Sequence, residues 1–166
     1  SAALDAARLL EELGHIVEEA QPEGSSEELQ HASWVLVASN VRLALRRRAR
    51  MLGRELVAAD VDRVTWAAVE EAGSMSAEAY AAAVQTIHRH SRRMAAFHRG
   101  HDVLLSPTLA APPVKLGPHH MDKSDPAAWR EAMRTYSPFT SLFNMSGQPA
   151  MSVPLAWSEA GLPVEI

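Results

Sequence analysis

The chain has 166 residues, a formal net charge of -4 and no cysteine. This length is sufficient for one domain, and a hydrophobic content of 47% argues for a folded protein rather than a disordered one. The lack of cysteine excludes disulfides, thiolate nucleophiles and cysteine-based zinc sites. The mildly acidic charge gives no reason to expect a nucleic acid or an anionic membrane as partner. No apolar run approaches the roughly 20 residues that span a bilayer.

The N-terminal residues contain no initiating Met and no secretory signal pattern. Ser1 leads directly into a helical pattern, so we expect a cleaved or excised piece of a longer protein, and the lack of cysteine fits the cytoplasm. An apolar stripe predicts a first helix that ends at Gly14, and residues 15–19 are predicted to form a short strand. A helix, a glycine and a strand in succession are typical of α/β proteins.

Residues 25–100 are predicted to be largely helical. Ser25 and Glu28 have the spacing of a capping box, which would begin a long helix that reaches about residue 51. Gly24-Ser25-Ser26 also resembles the core of a serine amidase motif. We prefer the capping box, because the two following glutamates would oppose the negative charge of a tetrahedral intermediate.

Two further helices are predicted within this region. Asp60 is expected to cap a helix that ends at Gly73. Ser76 is expected to cap another, which follows an apolar spacing of four and three residues to about Arg99.

Residues 101–166 are predicted to alternate between extended runs, loops and short helices. Asp125 followed by Pro126 has the pattern of an N-cap and a first helical residue. The predicted strands are 102–106, 150–155 and 162–166; the predicted loop is 111–123; the predicted turn is 159–161; and the predicted helices are 126–134 and 139–144. The last strand stops with the chain, so we expect that end to be incomplete too.

Eight histidines make a metal site the first candidate chemistry. His88 and His90 point to different faces of their helix, and Gly100 is expected to separate His98 from His101. None of the eight is matched by a carboxylate or a second histidine at clear ligand spacing. We therefore predict no metal site and no cofactor.

Six arginines cluster late in the long predicted helix: Arg42, Arg46, Arg47, Arg48, Arg50 and Arg54. They are consistent with a phosphate-binding patch, with a solvated helix end that complements the helix dipole, or with partners for the acidic residues Glu11, Glu12, Glu18, Glu19, Glu27 and Glu28. Because no aromatic residues interleave with the arginines and the whole chain is acidic, nucleic acid is not the expected partner.

Three segments near the end of the chain carry a resemblance to a known family. Residues 102–109 read DVLLSPTL, residues 139–154 read FTSLFNMSGQPAMSVP, and residues 161–164 read GLPV. In order and spacing they resemble segments of the amidase signature enzymes. Residues 9–19 are similar to the helix, glycine and strand that precede the helical region of that family.

The resemblance implies amide hydrolysis through a Ser, cis-Ser, Lys triad that forms an acyl-enzyme. In the family this triad precedes the region resembled here, so no catalytic residue is assigned in this chain. Lys115 and Lys123 fall in the later loop and match nothing catalytic. Glu165 stands where the family pattern has Gly, which places the last strand in question.

We therefore predict an α/β fold: a single incomplete domain over 1–166, the C-terminal part of an amidase signature fold, with a mixed β-sheet flanked by helices. The helical layer covers about 25–100 and the sheet and pocket segment about 101–166. The residues predicted to face a small-molecule amide substrate are Thr108, Phe139 and Asn144. The expected partner is the missing N-terminal catalytic portion, and self-association into a homo-oligomer is left open.

Two other functions fit the same sequence. The chain could be an amidase-like subunit of a tRNA amidotransferase, which would need a partner that delivers ammonia. It could also be a non-catalytic helical interaction module that reuses the fold. An extensive exposed apolar surface would favour either amidase function, whereas a monomer without one would favour the interaction module.

Overall fold

The computed structural model describes residues 1–24 and 26–166, with Ser26 by its backbone alone. The chain is mostly helical and has one small sheet. Its elements are α1 (Ala2–Glu12), α2 (Ser26–Met51), a 3-10 helix (Ala58–Asp60), α3 (Arg63–Ser74), α4 (Ala77–Phe97), α5 (Pro126–Tyr136), α6 (Ser141–Ser146), β1 (Pro154–Trp157) and β2 (Pro163–Glu165).

The chain divides into two compact units. The helical unit comprises residues 26–89 and 115–133 of the described chain, and the loop-rich unit comprises residues 1–24, 90–114 and 134–166. The prediction of a single incomplete domain remains a prediction.

The helical unit has a core built from small side chains. Ala32 and Val35 of α2 are buried with Ala83 of α4, and the half-buried Leu36, Met75 and Ile87 pack against them. Alanine at a helix contact lets two backbones approach closely, and burial of the surrounding methyl groups stabilises the contact by about 25 cal/mol per Å². Helix α2 also packs along α3.

A polar cluster joins three helices of the same unit. The indole nitrogen of Trp34 donates to Glu71 Oε1 at 2.8 Å, and Arg130 donates to Glu71 Oε2 at 2.9 Å. The Arg130 guanidinium also lies 4.5 Å from the centroid of the Trp34 ring, which adds a cation–π attraction. One carboxylate therefore holds α2, α3 and α5 together.

The start of α3 differs from the prediction. Asp62, not Asp60, is the N-cap, and its carboxylate accepts hydrogen bonds from both the backbone N–H and the hydroxyl of Thr65. Burial raises the pKa of Asp62, but these hydrogen bonds outweigh it and hold the pKa below its usual value. Asp60 instead pairs with Arg54, and this pairing lowers the pKa of Asp60.

The other helices largely agree with the local sequence signals. Helix α1 ends just before Gly14, whose φ of 91° is a left-handed conformation that glycine adopts readily. Ser76 accepts from the N–H of Ala79 at the start of α4, and Asp125 accepts from two backbone N–H groups at the start of α5. The predicted capping box falls on Ser25, outside the described residues.

The predicted strands are only partly present. Residues 15–19 and 102–106 of the described chain belong to no helix or strand. A strand requires a neighbour to receive its backbone hydrogen bonds, and neither run has a ladder partner in the described chain. The predicted strand at 150–155 lies later, at β1, and pairs with β2 in an antiparallel hairpin closed by Gly161, with Ala156 opposite Val164.

Candidate functional site

Thr108, predicted to line a substrate pocket, lies in an irregular segment directly after Pro107. Its backbone N–H donates to the Glu165 carbonyl at 3.2 Å. Its hydroxyl lies 3.0 Å from the Ser152 hydroxyl, and Ser152 donates to Glu165 Oε2 at 2.7 Å. Because the single proton of Ser152 is directed to the carboxylate, Thr108 is the donor to Ser152.

No local sequence signal predicts this Thr108–Ser152–Glu165 network. In the sequence Glu165 stands out only as a departure from the family pattern, and Ser152 only as part of a predicted strand. The partners lie 44 and 13 residues apart along the chain, beyond the reach of any periodicity. The carboxylate of Glu165 thus fixes both hydroxyl groups where residues 108, 152 and 165 meet.

The loop after Thr108 is also tied to α5, since the N–H of Ala110 donates to the Tyr136 carbonyl at 3.0 Å. Phe139 follows shortly after α5 and is half-buried. Asn144 lies on α6 with its side chain exposed and, within the described chain, without a hydrogen bond. The structure therefore brings Thr108 together with Ser152 and Glu165, and no hydrogen bond among the described residues joins it to Phe139 or Asn144.

Helix α6 is held from one side by a buried histidine. His90 Nε2 lies 3.0 Å from the Leu142 carbonyl, so this nitrogen carries a proton and donates. At the other end Gly147 has a φ of 71°, and its N–H donates to the Phe143 carbonyl. These two contacts determine where Asn144 presents its amide.

The network differs from the triad that the resemblance implies. The Ser152 hydroxyl contacts Thr108 and the Glu165 carboxylate but no lysine, so it lacks the lysine of a Ser, cis-Ser, Lys triad. What it offers a polar ligand is acceptor oxygens at fixed positions, because both hydroxyl protons are donated within the network and an ionised carboxylate only accepts.

Comparison with known proteins decides the family. A family model described as Amidase matches residues 1–166. The chain belongs to the amidase family. The three segments at 102–109, 139–154 and 161–164 are therefore correctly attributed to amidase signature enzymes.

Relatives and solved structures of this amidase family align with nearly the whole chain. The 6-aminohexanoate-cyclic-dimer hydrolase of Paenarthrobacter ureafaciens is 29% identical over 174 residues, which cover 100% of this chain and 35% of the relative. A solved structure of 6-aminohexanoate cyclic dimer hydrolase superposes with a TM-score of 0.82 and 25% identity, covering 99% of this chain and 35% of that one.

A third relative matches over a shorter stretch. One component of the glutamyl-tRNA(Gln) amidotransferase of Bdellovibrio bacteriovorus is 43% identical over 65 residues, which are 39% of this chain and 12% of the relative. The chain thus spans about a third of the length of the first two relatives.

The α/β expectation holds in part, because the chain shares the fold of amidases but forms only a two-stranded sheet within its described residues.

Two histidines near the end of α4, His98 and His101, form contacts within this amidase-family chain. His101 stacks on Phe97, with centroids 4.1 Å apart, and its Nε2 lies 2.7 Å from Glu18 Oε1. His98 Nδ1 lies 3.0 Å from the His101 carbonyl. Among the described residues, no group of three or more His, Asp or Glu side chains is arranged to hold a metal ion. No helix in this described part is both long and apolar enough to cross a membrane.

Proposed function

We propose that this chain is part of an amide-hydrolysing enzyme whose serine nucleophiles and lysine lie in a portion of the polypeptide outside these residues. The observation that carries the proposal is the family match over residues 1–166 together with coverage of only 35% of the relative's length. The Ser152 hydroxyl contacts Thr108 and Glu165 and has no lysine beside it, which agrees with a Ser, cis-Ser, Lys triad located elsewhere.

In this proposal the loop-rich unit presents one wall of the substrate pocket. Thr108, Phe139 and Asn144 face the amide substrate, with Thr108 held in place by Ser152. The exposed amide of Asn144 is free to hydrogen-bond a ligand, and the half-buried ring of Phe139 offers an apolar contact. Pockets with this combination, an apolar wall with a few fixed polar groups, are typical of small-molecule sites.

The missing portion would also cover apolar side chains that this chain leaves in solvent. Ile16 is 97% exposed, and Val103, Met151 and Trp157 are each more than two-thirds exposed. Large apolar side chains at such exposure are expected where another part of a protein packs. Their presence favours the amidase function over a free-standing helical interaction module.

The test is hydrolysis of an aryl amide by the purified chain, with its intact mass verified, and by the longer polypeptide that the proposal requires. The chain alone should show no turnover and the longer polypeptide should show it. In the longer polypeptide, Asn144→Ala should lower kcat/KM by about tenfold, the equivalent of one hydrogen bond. Glu159→Ala, a change at an exposed turn, is the matched control.

Turnover by the chain alone that survives contaminant controls would refute the placement of the triad outside these residues. An unchanged kcat/KM in the Asn144→Ala variant would contradict the assignment of Asn144 to the substrate pocket. A residue that only packs at a helix end is not expected to affect hydrolysis.

A second function is favoured by one comparison. The 43% identity to a component of a glutamyl-tRNA(Gln) amidotransferase is higher than that to the hydrolase, although it covers only 39% of the chain. In that function the longer polypeptide would itself release ammonia from an amide and pass it to a partner protein, in place of the ammonia-delivering partner expected from the sequence. Glutaminase activity that rises when an amidotransferase partner and charged tRNA are added would favour it over simple hydrolysis.

A further inference from the structure

Four arginines of the helical unit lie at intervals of four residues. Arg42, Arg46 and Arg50 lie on α2, and Arg54 follows its end. Residues four apart lie on the same face of a helix. All four line one open cleft of about 410 Å³, and the first three also line a neighbouring cleft of about 480 Å³.

The end of α2 brings Arg54 back to this face. Gly53 has a φ of 67°, its N–H donates to the Arg50 carbonyl, and the N–H of Arg54 donates to the Ala49 carbonyl. This pair of hydrogen bonds is a Schellman motif, which reverses the chain direction at the glycine. Arg54 thereby lines the cleft although it is no longer in the helix.

Arg42 is held in place at the other end of this row of four arginines (Arg42, Arg46, Arg50 and Arg54). Its guanidinium donates to the Val69 carbonyl of α3 at 2.6 Å. It lies over Gly73, where an added Cβ would come within 2.7 Å of Arg42 Nη1. A guanidinium has five N–H donors, so Arg42 retains donors for a ligand while its position is set.

The cleft has an excess of positive charge that the described chain does not neutralise. Asp60 pairs with Arg54 at 2.7 Å, and Glu55 lines the cleft. The contacts of the described residues give the guanidiniums of Arg46 and Arg50 no ion pair and no hydrogen bond. Like charges four residues apart destabilise a helix. A bound anion would therefore reduce the repulsion between these guanidinium groups.

Glu27 and Glu28 are sequence candidates for partners of these arginines. The structure pairs Glu28 with Arg89 on α4. In the described chain Glu27 makes no ion pair to the row either. The negative end of the α2 dipole, about half a charge, is too small to balance four guanidiniums.

We propose that this cleft binds a small oxyanion with two or more negative charges, of the size of a diphosphate. The planar guanidinium group of an arginine can donate two N–H hydrogen bonds to two oxygens of one phosphate group, and a row of four arginines offers several such pairs. A volume of about 410 Å³ lies in the range of small-molecule sites. Trp66 and Leu56 add an apolar wall that could hold an organic group attached to the phosphate.

A small anion is favoured over RNA by the surroundings of the row. Trp66 is the aromatic residue that lines the cleft, and the chain as a whole carries a net charge of -4. RNA-binding surfaces combine a broad basic face with several aromatic platforms for bases. A confined basic cleft on an acidic protein is instead suited to a compact ligand.

The experiment is titration of the chain with pyrophosphate at low ionic strength, followed by calorimetry and by thermal unfolding. We expect saturable binding with one site, and a rise in Tm because the ligand binds the folded state. The double variant Arg46→Gln with Arg50→Gln should weaken binding by about tenfold or more through lost charge-assisted hydrogen bonds. The control is Arg48→Gln with Arg92→Gln, which removes the same charge from exposed positions outside both clefts.

Equal loss of pyrophosphate affinity in the two double variants would overturn the proposal. It would show that pyrophosphate responds to the overall charge of the chain and not to the arginines of the cleft. Absence of binding by a chain with helical circular dichroism would also overturn it, as would tighter binding of an RNA hairpin than of pyrophosphate. The result does not depend on amide hydrolysis, so this proposal and the proposed function can fail separately.

Discussion

The helical unit and the loop-rich unit differ in how many apolar side chains they bury. The helical unit buries a series of apolar side chains: Leu29, Ala32, Val35, Ala38, Ala49, Val64, Ala68, Val69 and Ala83. In the loop-rich unit the corresponding set is small, namely Ala6, Met94 and Ile166. The loop-rich unit exposes Ile16, Val103, Met151 and Trp157, and the helical unit also exposes Leu43, Met51 and Leu116, so the units differ in how much they bury.

The difference follows from where each unit finds its backbone hydrogen bonds. A helix satisfies its N–H and C=O groups within a few residues, so α2, α3 and α4 form from their own sequence. A strand depends on a distant neighbour, and the runs at 15–19 and 102–106 have no ladder partner in the described chain. The helices of this chain can thus form in full while its sheet is limited to two strands within the described residues.

The largest expected effect is in the core of the helical unit. Leu29→Ala should destabilise the chain by about 2 to 5 kcal/mol, because it removes buried methyl groups and leaves a cavity. Leu29 is 3% exposed, whereas Leu43 on the same helix is 66% exposed. Leu43→Ala is therefore the matched control. Urea unfolding followed by circular dichroism would measure the unfolding free energy of both variants. Equal losses of stability would contradict the burial of Leu29 in a packed core.

The second effect concerns the start of α3. Asp62→Ala should cost about 1 kcal/mol, as expected for loss of an N-cap. Because the folded pKa of Asp62 is below its ordinary value of 3.8, its contribution is present above that value and is lost as the pH falls through the folded pKa. The difference in unfolding free energy between wild type and variant should therefore shrink in acid.

Asp60→Ala is the comparison for this position, since Asp60 is the cap that the sequence pattern predicts. Its exposed pair with Arg54 should contribute less than the cap, by the usual weakness of surface ion pairs. If Asp60→Ala proved more costly than Asp62→Ala, the assignment of the cap from the structure would be wrong.

These residues show how far sequence reasoning reaches. Ser76, Asp125 and Gly14 mark helix ends correctly because their signals act within four residues. Asp60 and Asp62 carry the same signal two residues apart, and only the contact with Thr65 distinguishes them. The predicted strands at 15–19 and 102–106 are wrong for this chain because the sequence pattern cannot report whether a partner is present.

The candidate site divides in the same way. The family segments direct attention to Thr108, but its contacts with Ser152 and Glu165 depend on how the hairpin returns to the loop. The Glu71 contacts with Trp34 and Arg130 span 37 and 59 residues and are not predictable from periodicity. Whether Phe139 and Asn144 contact substrate stays a prediction.

The smallest effect is expected at the exposed surface of the loop-rich unit. Trp157→Ser should change the stability of this chain by no more than about 0.5 kcal/mol, because a 71% exposed side chain loses little burial. Ile166→Ala, at a buried position of the same unit, should cost more and serves as the control. In the longer polypeptide the Trp157 variant should become clearly destabilising, and a neutral result there would argue against a covering segment.

The close approach of Arg42 to Gly73 has an evolutionary consequence. An added Cβ at position 73 would meet the guanidinium at 2.7 Å, so a larger residue there would displace the end of the Arg42 side chain from its present position. The residues at positions 42 and 73 should therefore co-vary among related sequences. Sequences that acquire a larger residue at position 73 should be recovered with a shorter side chain at position 42, and with that change the row of four arginines would lose its anchored member.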